Sequence, residues 1–177
     1  MKKKLLKIIK KDAFFKKKIK LSSGKTSNYY IDIRRVSLDS QGLYLTSKII
    51  WEMIKKDKPT AIGGPTLGAD AIIGGVCVLA HKEGKKLKVF IVRKTPKKHG
   101  RQNLIEGKEL TPKDRVVLID DVATTGASLV KSFEILKEAK VKVIKVIVVV
   151  DREEGAKEAF SNLNYLFQPI FTKSDLL

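Results

Sequence analysis

The chain has 177 residues, 43% of them hydrophobic and 32% charged, a length that suits one domain burying roughly 70% of its unfolded surface. No apolar run reaches the ~20 residues that a bilayer-spanning helix needs, and the single cysteine, Cys77, cannot close an internal disulfide, which fits a buried, inert thiol in a reducing cytoplasm. The net charge of +18, from 37 Lys and Arg against 19 Asp and Glu, favours an anionic ligand such as a polyphosphate, while the lack of RNA-binding aromatic motifs, zinc-ligand spacing or a basic zipper argues against nucleic acid.

Residues 2–18 read as an amphipathic helix, with Leu5, Ile8, Ile9 and Phe15 on one side and lysines elsewhere. The lysines interrupt the apolar run too often for a secretory signal core. A Gly/Ser turn then leads to a strand around Tyr29–Ile33. Asp39 or Ser40 can cap a second helix, in which Leu43, Thr46, Ile49, Ile50, Met53 and Ile54 recur at helical spacing. Thr60–Ile62 reads as a short strand and Ala69–His81 as a helix. Lys88–Val92 is a strand, followed by a polar loop to Gly107. Arg115–Ile119 is a strand and Ala127–Ala139 a helix. Val141–Val150 is almost unbroken Val and Ile, the pattern of a central strand covered on both faces.

Strands alternating with helices predict a parallel sheet with right-handed crossovers. The expected organisation is one domain over 1–177, with a core at about 36–160. Residues up to about 35, and those after Phe160, would cap its edges. Trp51, Met53, Phe14, Phe15, Phe133 and Phe160 are expected in the packing, and His81 has no evident role.

In an open parallel sheet, ligands bind beyond the carboxyl ends of the strands. Four strands here end in unusual chemistry: Gly63–Gly68 (GGPTLG), Arg93–Gly100 (RKTPKKHG), Asp120-Asp121 and Asp151-Arg152. The third is the sharpest. In Val116–Ser128, VVLIDDVATTGAS, an apolar strand runs into two adjacent acids, then into small and hydroxyl residues at a helix N-terminus. Backbone N–H groups there form a nest for phosphate, and the acids can hold sugar hydroxyls. A helix cap needs one acid rather than two, and neither a P-loop nor a GxGxxG pattern is present.

VVLIDDVATTGAS resembles the signature with which type I phosphoribosyltransferases bind 5-phosphoribosyl 1-diphosphate (PRPP). KLSSGKTSNYYIDIR, VRKTPKKHGRQNLIEG, VVDREEG and GGPTLGAD are similar, in the same order, to segments of the orotate phosphoribosyltransferases. The resemblance implies an α/β fold with a central, mainly parallel sheet flanked by helices and a small N-terminal hood. It implies phosphoribosyl transfer from PRPP to orotate, giving orotidine 5′-monophosphate and pyrophosphate in pyrimidine biosynthesis, with Mg²⁺ carried mainly by PRPP rather than by protein ligands. Lys97, Asp120 and Asp121 would be catalytic. PRPP would also meet Arg93, Lys94, His99, Val122, Ala123, Thr124, Thr125, Gly126, Ala127 and Ser128. Orotate would meet Thr124 and Arg152. Some relatives have a lysine where this chain has Ser22, and Lys25 is the candidate to replace it. In the family Lys94 serves its own subunit, whereas Arg93, Lys97 and His99 reach into a partner's site, which implies a homodimer.

Two other readings remain. One is a phosphoribosyltransferase for a purine or uracil, against which the N-terminal segment and the Asp151-Arg152 motif argue. The other is a non-catalytic PRPP-fold regulator that binds nucleic acid through its charge, which would not need the basic loop.

Overall fold

We describe a computed structural model of the chain at residues 1–17, 19–20, 26–93, 95 and 104–177, with the backbone alone at residues 19, 20, 26 and 27. The N-terminal part comprises α1 (Lys2–Asp12), β1 (Phe14–Phe15), β2 (Ile19–Lys20), β3 (Thr26–Ser27), β4 (Tyr30–Ile31), α2 (Arg34–Ser37) and α3 (Ser40–Ile54). The rest contains β5 (Ala61–Pro65), α4 (Asp70–Lys82), β6 (Lys88–Val92), β7 (Ile105–Gly107), β8 (Arg115–Ala123), α5 (Ala127–Glu138), β9 (Lys142–Asp151), α6 (Ala156–Asn162), β10 (Phe167–Thr172) and α7 (Lys173–Leu176).

Six strands form one sheet in the order β10-β9-β8-β5-β6-β7. Every pairing is parallel except that of β7 with β6. The carboxyl ends of β5, β6, β8 and β9 therefore share one rim, as the four motifs require. Side chains alternate across a strand, and each face of the sheet has its own core. Val117, Ile119, Ile147 and Val149 pack with Leu5, Ile9, Trp51, Ile54, Ile72 and Val76 from α1, α3 and α4. Val116, Leu118, Val146 and Val148 pack on the other face with Leu129, Phe133, Leu136 and Phe160 from α5 and α6. Burial on both faces explains the unbroken Val/Ile run of β9.

Several boundaries depart from expectation. Helix α1 stops at Asp12 rather than at residue 18, because Phe14 and Phe15 pair antiparallel with Ile31 and Tyr30. These two phenylalanines are only half-buried, unlike Trp51, Phe133 and Phe160. Asp39 caps α3, its Oδ1 accepting from the Gly42 N–H at 2.9 Å. Strand β5 runs on to Pro65, and β8 continues past Ile119 to Ala123. The segment after Phe160 supplies an edge strand, β10, and the polar loop after Val92 ends in another, β7. Cys77 is partly exposed rather than buried, with its Sγ 4.0 Å from the Leu87 carbonyl oxygen.

At the end of the sheet opposite the rim, Asp114 ties three strands together. Its carboxylate accepts from Thr60 Oγ1 at 2.8 Å, Lys88 Nζ at 2.8 Å and Thr111 N at 2.7 Å. Thr60 Oγ1 in turn accepts from the Arg115 N–H at 2.9 Å. Burial pushes the Asp114 carboxyl up, but the hydrogen bonds from Lys88, Thr111 and Thr60 outweigh it and bring it to about 2. A depressed carboxyl stabilises the fold above its unfolded value of ~4, and that contribution fades as pH falls from there through about 2. Asp114→Asn should therefore cost about 2 kcal/mol at pH 7, read as a lower urea midpoint with an unchanged slope. The deficit against the parent chain should shrink below pH 4.

Candidate functional site

Strand β8 carries the acid pair beyond its buried stretch without leaving the ladder. Asp120 pairs with Val148, Val122 with Val150 and Ala123 with Asp151. The two acids are thus strand residues with a fixed backbone. Alternation places Asp120 in line with Val116 and Leu118, and Asp121 in line with Val117 and Ile119. The pair straddles the sheet edge. Asp120 is 8% exposed and accepts from the Asp121 N–H at 2.9 Å. Asp121 Oδ1 accepts from the Val122 N–H at 2.7 Å.

On one side of the pair lies a cleft of about 300 Å³, lined by Asp120, Asp121, Thr66–Gly68, Asp32, Arg34 and Ser128 among others. Asp32 and Arg34 form an ion pair at 2.9 Å. Gly68 abuts Asp121 so closely that a Cβ there would lie 2.4 Å from the carboxylate. On the other side, Asp120 and the run from Val122 to Leu129 enclose a hollow of about 180 Å³ at the start of α5. Gly126 precedes this helix at φ +76°, and no side chain caps it, so neither acid serves as a helix cap. Left-handed backbone at that position favours glycine.

A third hollow, of about 340 Å³, lies between Thr66, Leu67, Arg93 and Thr95. Arg93 pairs with Glu106 at 2.8 Å, and its N–H donates to the Leu104 carbonyl at 2.8 Å. Arg152 follows Asp151 at the end of β9, with its N–H bonded to the Ala123 carbonyl at 2.9 Å. It is only 3% exposed, which rules out an ordinary surface arginine. Lys25, Lys94, Lys97 and His99 lie outside the described residues, as do Ser22, Lys98 and Arg101.

The structure thus gathers Asp120, Asp121, Val122–Ser128, Arg93 and Arg152 on one rim. It also brings in Asp32 and Arg34 of the YIDIR segment, and Thr66–Gly68 of the GGPTLG motif, none of which had been given an individual role. Their signals were the alternating Asp and Arg in YIDIR and the glycines flanking Pro65-Thr66-Leu67.

A model of the phosphoribosyl transferase domain matches residues 45–167. An orotate phosphoribosyltransferase from Aquifex aeolicus is 40% identical over 177 residues, covering 100% of this chain and 93% of the relative. The chain belongs to the orotate phosphoribosyltransferase family. Among solved structures, the orotate phosphoribosyltransferase of Mycobacterium tuberculosis in complex with PRPP superposes with a TM-score of 0.82 at 29% identity, covering 99% of this chain and 98% of that one. The enzyme from Aeropyrum pernix gives 0.80 at 31% identity, covering 98% and 96%. The expected type I phosphoribosyltransferase fold is therefore the observed one.

Among the described residues, no group of three or more His, Cys, Asp or Glu is placed to hold a metal ion. Asp120 and Asp121 each accept a bond from a backbone N–H. That donor set fits a cation held chiefly by ligand oxygens and water. No helix of the described residues is long and apolar enough to cross a membrane.

Burial raises the Asp121 carboxyl above the ordinary carboxylate range, against the lowering effect of its hydrogen bond from Val122. An acid held higher in the folded state than in the unfolded one costs stability once it ionises. That cost grows as pH rises from ~4 through the raised value and stays in place at neutral pH. Asp121→Asn should therefore melt at the same temperature as the parent or higher at pH 7. The difference should vanish below pH 4 in a thermal-melting series.

Proposed function

We propose that this rim is where 5-phosphoribose passes from PRPP to orotate, giving orotidine 5′-monophosphate and pyrophosphate in pyrimidine biosynthesis. The observation that carries the residue assignment is the placement of Asp120 and Asp121 between two hollows. One opens onto a helix N-terminus and the other onto the loop after β5. The 5-phosphate sits against Val122–Ser128, where backbone N–H groups and the hydroxyls of Thr124, Thr125 and Ser128 face an anion at the positive end of α5. Asp120 and Asp121 take the ribose hydroxyls. Thr66 and Leu67 border both the main cleft and the hollow towards Arg93, so they link the ribose to the diphosphate end. Arg93, Lys94, Lys97 and His99 bind that end. Arg152 and Thr124 meet the orotate, with Lys25 a further contact from the hood at about residues 1–35.

In the reaction the pyrimidine nitrogen, having released its proton, bonds to the anomeric carbon as the bond from that carbon to the diphosphate oxygen breaks. The electron pair leaves with pyrophosphate. The sugar passes through an oxocarbenium-like state, so the chain's task is to orient and to stabilise charge rather than to form covalent bonds. Bound with PRPP, Mg²⁺ supplies charge neutralisation on the diphosphate. Lys97 and the basic loop around it neutralise the same leaving group and shield PRPP from water. The reaction is placed in the cytoplasm, where Cys77 stays a thiol.

The assay is loss of orotate absorbance, expected only with PRPP and Mg²⁺ together. Turnover of adenine or hypoxanthine with none of orotate would overturn the assignment. In the same assay Lys97→Ala and Asp121→Asn should each lose roughly 10²-fold or more in kcat while remaining folded.

The active form is a homodimer in which Arg93, Lys97 and His99 of one subunit complete the site of the other. Neither Lys97→Ala nor Asp121→Asn alone then has a working site. Mixed and allowed to re-associate, half of the dimers are hybrids, each with one intact site, so about a quarter of the parent activity should return. No recovery, with hybrids confirmed by mass, would place the loop in its own subunit's site.

A further inference from the structure

The turn after β9 contains a carboxylate that the reaction above does not use. Three donors converge on Glu154 Oε1: Arg152 Nε at 2.9 Å, Arg152 Nη2 at 2.9 Å and the Tyr29 hydroxyl at 3.1 Å. The Arg152 guanidinium also lies over the Tyr29 ring, 4.5 Å from its centroid. Glu154 thus joins the hood, through Tyr29, to the rim, through Arg152. Tyr29 and Glu154 are 125 positions apart in sequence.

Glu154 is itself held in place. Glu153 adopts φ +57°, and its N–H donates to Asp151 Oδ1 at 2.9 Å. Glu153 Oε2 accepts from the Ser174 N–H at 3.1 Å and Ser174 Oγ at 2.8 Å, tying the turn to α7. Gly155 completes the turn at φ +114°. Both ends are thereby fixed, and the carboxylate projects from a rigid loop.

We infer that Glu154 is a positioning and selectivity residue of the pyrimidine site, holding the Arg152 guanidinium in the orientation that meets the carboxylate of the base. The inference rests on the reading of Arg152 as the base contact. An arginine has a long stem and a planar fork of five donors. Fixing Nε and Nη2 on one oxygen and one face on an aromatic ring sets the plane of that fork before substrate arrives. The ordering entropy of a rotamer-rich side chain, ~1–2 kcal/mol, is then spent on folding rather than on binding. Glu154 also compensates the buried cation, which is 3% exposed and would otherwise turn towards another acid or water.

The test varies orotate and PRPP separately in full-length variants whose melting temperatures are recorded. Glu154→Ala should raise the KM for orotate roughly tenfold or more and leave that for PRPP within about twofold. Glu154→Gln keeps an acceptor oxygen for the same donors and should return the orotate KM to within about threefold of the parent. Should Glu154→Ala fail to fold, Glu154→Asp, which withdraws the oxygen without removing the charge, should still raise the orotate KM severalfold. Equal rises in both KM values, or a lower melting temperature with neither KM changed, would mark a purely structural ion pair and overturn the inference. If Arg152→Ala raises the orotate KM but the Glu154 variants do not, the inference fails and the base-site reading stands. If Arg152→Ala leaves the orotate KM unchanged, both fall together.

Discussion

The site depends on β8 staying paired with β9 until after its acids, although its pairing with β5 ends at Leu118. A strand that ended at Ile119 would leave Asp120 and Asp121 on a loop, free to turn outward into water. Because the ladder to β9 persists through Ala123, their backbone is held in the sheet on that side. The alternation of a strand then acts as a geometric device. Two consecutive acids must point to opposite sides, so one pair serves both the hollow at α5 and the cleft under Thr66–Gly68. Two adjacent acids on a helix could not divide two sides of a rim in this way.

The far end of the sheet carries a contrasting acid, Asp114. Asp114 precedes β8 and Asp121 lies near its carboxyl end, and burial affects their carboxyls in the same direction. The outcomes differ because of their partners. Asp114 has Lys88 and three donors from Thr60 and Thr111 and ends near 2. The hydrogen bonds to Asp121 do not offset its burial, and its carboxyl stays raised. One acid stabilises the strand and the other burdens it.

What the sequence revealed follows the same division. Strands β6, β8 and β9 were legible because continuous apolar runs leave little choice of environment, and α3 because Asp39 marks its start. Strand β10 was not: Phe167–Thr172 contains Pro169, which reads as a breaker and is tolerated only because β10 is an edge strand paired with β9 alone. Likewise β7 is three residues long, too short to show a period. The premature end of α1 was hidden because the competitor for Phe14 and Phe15 lies at Tyr30 and Ile31, a contact no local pattern reports. For the site, Asp120–Ser128 was readable from order alone, since strand, acids and helix start are consecutive. The individual placements of Asp32, Arg34 and Glu154 were not, because they come from what lies across the cleft or the turn.

The hood is the least locally determined part of the rim. Its strands are two residues long, and such ribbons have marginal stability by themselves. They are held instead by what they touch: Leu5 and Ile9 of α1 are fully buried in the core of one face, and Tyr29 reaches Glu154 on the rim. A weak element anchored at two points can differ between relatives without disturbing β8 or the start of α5. The β8 end of the rim is constrained by the sheet, whereas the hood is constrained only by its anchors. Tyr29, Glu154 and Arg152 are the contacts at which hood and rim meet, apart from the strand that carries the acids.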